Sequence, residues 1–258
     1  MKIEKTSIDR ILNLSLVAFY GEKPIELRRL ITNLQGYLAR HLQDKFVPYE
    51  LGQVHGTIIG CEGCKTSQGL VSRWFKERRD ATRYINFFDL IDCLQQQVNL
   101  PLTIRFGGYN RQANYDFLSR DEHLYDRSFQ LQPAGEQTIP VLIGWSWENN
   151  NVTAAIDELR RSFQQFGLLH KYHANSHSVD NDFYMRLGTI KTQLSIAEIK
   201  AISANIRQRL ARQAIDLPLR LQDLAFVQYQ DLELPPTKTR TIPINLMTAN
   251  ELQQLYRV

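Results

Sequence analysis

Gln53-Val54-His55-Gly56-Thr57-Ile58-Ile59-Gly60 is the stretch on which the reading of this chain turns. It is an apolar, β-branched run, the composition of a strand. Side chains alternate along a strand, so His55 and Thr57 fall on one face, two residues apart. An imidazole and a hydroxyl so placed can touch the same phosphate. The hydroxyl serves as hydrogen-bond donor and the imidazole as proton donor or acceptor.

Working outward, residues 11–20 (ILNLSLVAFY) read as a buried strand. Pro24 then opens a helix, with Ile25, Leu27, Leu30, Ile31, Leu34, Leu38 and Leu42 near a 3.6 spacing. Residues 73–94 predict a helix from about Asp80, with Phe87, Leu90, Ile91 and Leu94 on one stripe. Strands are predicted over 100–107, 129–132 and 139–147, and the polar, aromatic segment 107–127 reads as a long loop. A helix over 152–166 and a strand over 183–191 follow. Ser195-Ile196-Ala197-Glu198 is a capping-box match ahead of Ile199, Ile202, Ile206 and Leu210. Residues 217–229 and 241–244 are β-like, and a short helical tail starts near Thr248.

The order of elements recurs. Glu26-Leu27-Arg28-Arg29 and Glu158-Leu159-Arg160-Arg161 open the first helix of each half, and Leu100-Pro101-Leu102 and Leu217-Pro218-Leu219 open the strand after the second helix. Between these markers each half has a strand with a Gly-Thr-Ile sequence. Two strand–helix units packed together leave a concave surface between them, where ligand sites usually lie.

With His55-Gly56-Thr57 and this order in hand, the chain resembles the 2H phosphoesterase superfamily, which includes 2′-5′ RNA ligase-like proteins and cyclic nucleotide phosphodiesterases. The resemblance covers nearly the whole chain in element order, but motif identity only at His55-Gly56-Thr57. It implies an α+β fold of two pseudo-symmetric lobes, about 1–137 and 138–258, enclosing a central cleft within one domain. It also implies a general base and a general acid around a 2′,3′-cyclic or related phosphodiester, without metal or cofactor. His55 would carry the proton transfer and Thr57 would anchor the phosphate.

The second motif departs from the family pattern. His-x-Thr-Leu-Gly is replaced by Tyr184-Met185-Arg186-Leu187-Gly188-Thr189. Aligned on Leu-Gly, Tyr184 takes the histidine position and Arg186 the hydroxyl position. Counting from the Glu-Leu-Arg-Arg markers instead pairs His55 with Leu187 and Thr57 with Thr189, which would turn the opposite face to the cleft. The first register is preferred, because it packs Met185 and Leu187. Neither supplies a second histidine. Either Tyr184 donates a proton while Arg186 holds the phosphate, or this half is inactive and the cleft only binds. His170, His173 and His177 read as solvent-exposed loop histidines.

Arg105 and Tyr109 are further candidate ligand contacts, set against the plainer reading of polar loop residues. Cys61-Glu62-Gly63-Cys64 reads as ordinary turn cysteines rather than half a zinc site. Arg73-Trp74-Phe75-Lys76-Glu77-Arg78-Arg79 mixes basic and aromatic residues as RNA-binding surfaces do, though a solvated helix face is the simpler reading. Trp145 and Trp147 read as packing residues.

The 258 residues provide ample material for a core, and the net charge of +4 tolerates a phosphorylated ligand without marking a dedicated nucleic-acid binder. No membrane span or signal-peptide pattern is expected, and three cysteines argue against a disulfide framework, which places the chain in the cytoplasm. The expectation is a phosphodiesterase acting on a cyclic phosphate or RNA end. The rival is a non-catalytic phosphate-ligand-binding or protein-interaction module on the same scaffold.

Overall fold

A computed structural model describes residues 13–96 and 100–255. Of the first predicted strand, Ile11 and Leu12 lie outside the described residues; the rest forms β1 (Leu14–Ala18), with every side chain buried. Pro24 precedes α1 (Ile25–Leu42), which buries Leu27, Ile31, Leu34, Leu38 and Leu42 and leaves Ile25 exposed. A short β2 (Phe46–Pro48) follows, then β3 (Gly56–Gly60), which His55 immediately precedes.

The expected helix from about Asp80 is not there. The chain instead makes a hairpin of β4 (Gly63–Thr66) and β5 (Gly69–Ser72), then α2 (Arg73–Arg79). Asp80 adopts a left-handed conformation (φ 46°) that ends α2, and helix resumes only at α3 (Phe87–Gln95), where the Asn86 side chain accepts from Asp89 N–H. The apolar stripe was legible. The start of its helix at Phe87 was not.

Next come β6 (Leu102–Phe106), α4 (Leu124–Arg127), β7 (Phe129–Ala134), β8 (Gln137–Glu148) and β9 (Asn151–Val152). Helix α5 (Ala155–Ser162) continues into a 3-10 turn to Phe166. The strand expected over 183–191 is broken at Leu187 into β10 (Phe183–Arg186) and β11 (Gly188–Ile190). Ser195 caps α6 (Ile196–Ala211) with the reciprocal box expected of Ser195 and Glu198. The chain ends through β12 (Ile215–Leu219), β13 (Leu224–Tyr229), β14 (Thr239–Pro243) and α7 (Ala249–Gln254).

The strands other than the β4–β5 hairpin join one curled antiparallel sheet, ordered β12-β6-β8-β10-β3-β1-β13-β14 along its main path. The halves of the chain interleave in it. Strand β6 pairs with β8 and β12, while β13 and β14 extend the sheet beyond β1. The result is a mixed α/β fold. One pairing positions the site: β10 runs antiparallel to β3 with Met185 opposite Gly56. A Cβ at Gly56 would overlap the Phe183 ring, so glycine between His55 and Thr57 lets β10 lie against β3. Among the described residues, no helix is long and apolar enough to cross a membrane.

Candidate functional site: a cleft over the β3–β10 junction

Alternation along the two strands decides which side chains meet. Met185 and Leu187 are buried in the core, whereas His55, Thr57, Tyr184 and Arg186 line one cleft of about 350 Å³. This is the geometry of the register aligned on Leu-Gly. In the other register Thr189 would face the cleft; it is instead buried, its hydroxyl donating to Glu233 Oε1 at 3.1 Å.

His55 is held by its own backbone. Its Nδ1 lies 2.7 Å from Gln53 O. A carbonyl only accepts, so the neutral ring carries its proton on Nδ1 and keeps a lone pair on Nε2. Burial lowers its pKa from 6.5 to about 4; the Gln53 bond opposes this, and the Lys23 and Arg186 cations add to it. His55 is therefore a neutral base over the ordinary pH range. Lys23 is itself buried, its ammonium donating to Phe19 O at 2.6 Å and Gly21 O at 3.0 Å. Burial lowers its pKa to about 7.

On the opposite wall, Tyr184 donates its hydroxyl to Gln132 Oε1 at 2.8 Å, and burial raises its pKa despite the nearby Arg186. Among the described residues, no carboxylate lies within ion-pair distance of Arg186. Its charge is available to an anion in the cleft.

The loop between α5 and β10 supplies what the sequence did not disclose. His170 and His173 are buried, not solvent-exposed; of the three loop histidines only His177 is exposed. His170 lines the cleft. Its Nδ1 sits 3.3 Å from Asp180 Oδ2 without a hydrogen-bond partner, and burial, with Arg160 and other nearby cations, holds its pKa well below the usual value. The loop is fastened by arginines that end on its carbonyls. Arg160 donates to Asp180 O at 2.8 Å and Asp182 O at 3.1 Å, and across to Thr57 O at 2.9 Å and Ile58 O at 3.0 Å. Arg79 reaches His173 O at 2.9 Å. Asp182 gathers donors from Trp145 Nε1 at 2.9 Å and Arg127 at 3.1 Å. Only the polar triplet Asp180-Asn181-Asp182 ahead of an apolar strand hinted at such a hub, and it reads equally well as a turn.

Arg105 and Tyr109 lie elsewhere. Arg105 grips Asp216 with two bonds of 2.6 Å and stacks over Trp147 at 4.1 Å. Tyr109 is buried edge-on to Trp145, its hydroxyl donating to Arg105 O at 2.6 Å. Antiparallel pairing of β6 with β12 places Arg105 opposite Asp216, so its charge is engaged there.

No family model matches the chain, and no curated protein matches it. Among solved structures, it is similar to the crystal structure of TT0787 of Thermus thermophilus. The TM-score is 0.39 at 12% identity, covering 90% of this chain and 94% of that one. A likeness so distant carries no argument about function.

The remaining sequence motifs divide. Arg73 and Trp74 turn into the cleft, while Lys76, Glu77 and Arg78 stay exposed. Cys61 is buried and Cys64 half-buried. Among the described residues, no group of three or more His, Cys, Asp or Glu side chains is placed to share a metal ion.

Proposed function

We propose that the cleft binds a phosphodiester and opens it by hydrolysis, with a 2′,3′-cyclic phosphate or an RNA-end phosphodiester as substrate, on a scaffold of two lobes like that of the 2H phosphoesterases. The observation that carries this reading is the convergence of His55, Thr57, Tyr184 and Arg186 on one cavity. His55 Nε2 removes a proton from water as it attacks phosphorus. Thr57 Oγ1 and the Arg186 guanidinium hold the phosphoryl oxygens, and the ester P–O bond breaks on the side facing β10. The leaving oxygen takes its proton from that wall, where the Tyr184 hydroxyl and the His170 imidazole stand.

The test is turnover of 2′,3′-cyclic nucleotides and short 2′-5′-linked RNA. His55→Ala should lower the rate by roughly 10²–10⁴-fold with binding retained. The neutral state of His55 fixes the pH profile: kcat/KM should hold on acidification until the pH approaches about 4. Arg186→Ala removes a cation that depresses that pKa, so the acid limb should move to higher pH.

A second reading, phosphate binding without turnover, is favoured by one observation. The Tyr184 proton is engaged by Gln132 and its pKa is raised, which suits neither base nor ready acid at neutral pH. Phosphate binding by the wild type without hydrolysis of either substrate class would select it.

A further inference from the structure

We propose that the end of the cleft remote from His55, built around Glu62, is a recognition subsite for a nucleobase that presents two adjacent N–H donors, a base of the guanine type. The inference rests on the phosphate-binding reading of the His55 end and names what the same ligand carries at the other.

The two ends of the cleft differ in chemistry. Near Thr57 the lining carboxylates Asp180 and Asp182 are engaged by arginines, whereas the far end of β3 leads through Gly60 into Glu62, a carboxylate beside Trp74, on whose ring Arg73 stacks at 4.7 Å. Glu62 is 7% exposed and lines the cleft. Its Oε2 accepts from Trp74 Nε1 at 2.7 Å and its Oε1 from the Tyr229 hydroxyl at 3.1 Å. Both donors are neutral, and among the described residues no cation lies within ion-pair distance of it. A buried carboxylate without a counter-ion is costly unless hydrogen-bond donors surround it. A carboxylate has about four acceptor sites, and the protein fills one on each oxygen. Glu62 thus lines the cleft with acceptor capacity left over.

That capacity selects a ligand group. A carboxylate repels phosphate oxygens and accepts only, so the far end takes N–H or O–H donors. Two oxygens side by side, each with an open acceptor site, match two neighbouring N–H groups. Guanine carries such a pair on N1 and N2; the corresponding edge of adenine alternates donor with acceptor. The spacing is also that of one nucleotide. Thr57 and Gly60 are three strand residues apart, about 10 Å, a span that a nucleoside covers from phosphate to base edge. Gly60 makes room for the carboxylate, because a Cβ there would run into the Glu62 carboxylate and the Trp74 ring nitrogen. Trp74 comes from α2, which follows the β4–β5 hairpin. On that view α2 serves to hold Glu62 in place.

The experiment uses the full chain carrying His55→Ala, so that ligands bind without turnover. Calorimetric Kd values are measured for guanosine, inosine and adenosine 2′,3′-cyclic phosphates, with inorganic phosphate as competitor. Guanosine should bind tightest, inosine about tenfold more weakly for the one hydrogen bond lost, and adenosine weakest. Glu62→Gln should compress this series, and so should Trp74→Phe, which keeps the ring and removes the N–H that positions Glu62. Equal affinity for all three cyclic nucleotides, with phosphate competing, overturns the base subsite and leaves the phosphate reading standing. A guanosine preference untouched by both variants also overturns the assignment to Glu62. No binding of any nucleotide or of phosphate overturns the phosphate reading itself, and this inference with it.

Discussion

Glu26-Leu27-Arg28-Arg29 in α1 and Glu158-Leu159-Arg160-Arg161 in α5 are the same tetrapeptide used in two ways. Both bury the leucine and expose the glutamate. In α1 the arginines stay at the surface, Arg28 pairing with Glu22, itself almost fully exposed. In α5, Arg160 is buried and donates to four backbone carbonyls on β3 and on the loop before β10, and Arg161 reaches Ser176 O and Ser178 O of that loop. The difference lies in what covers each helix. A long loop folds over α5 and brings carbonyls within reach, while the arginine face of α1 meets water. Arg160 therefore ties the His55 strand to the opposite wall of the cleft, and Arg28 ties nothing to anything distant.

Breaking this contrast should produce a graded set of effects. Arg160→Met takes their arginine donor from four carbonyls and leaves the buried Asp180 carboxylate with Arg120 as its remaining arginine partner, and should cost about 3–5 kcal/mol in denaturant unfolding together with loss of phosphate binding. Asp157→Asn should cost less, about 1–3 kcal/mol at neutral pH. Burial alone would raise the Asp157 pKa. Hydrogen bonds from His173 Nε2 at 2.8 Å, Asp180 N–H at 2.7 Å and Arg161 nonetheless hold it well below the usual carboxylate range. A depressed carboxylate pKa contributes stability that is present above the unfolded value near 4 and is lost as pH falls toward the folded one. The wild type should thus lose stability below about pH 4 more steeply than Asp157→Asn, as followed by Tm against pH. Arg28→Met should change stability by less than about 0.5 kcal/mol. A cost for Arg28→Met equal to that for Arg160→Met would erase the distinction.

The two halves of the cleft were unequally legible. His55 and Thr57 were readable because strand alternation alone puts them on one face, and the same rule chose Tyr184 and Arg186 over Leu187 and Thr189. His170 was not readable. A histidine in a polar loop looks solvent-exposed until Asp157, Arg160 and Arg161 are seen to draw that loop onto α5, and those contacts span separations that no local period encodes. That Arg105 and Tyr109 lie outside this cleft was hidden for the related reason that their partners, Asp216 and Trp147 among them, come from strands far along the chain.

The amino-acid sequence by itself determined the longer strands, most of the helices and the Ser195 capping box, because alternation, 3.6 spacing and capping chemistry act over a few residues. It also determined which face of β3 and β10 bears polar groups. Tertiary structure alone decided that the halves of the chain interleave in one sheet, that α2 stops at Asp80, and that Glu62 and His170 join His55 in a single cleft. Those outcomes depend on which buried donors meet which acceptors across long stretches of chain, a matter of packing and of satisfying every buried polar group rather than of local propensity.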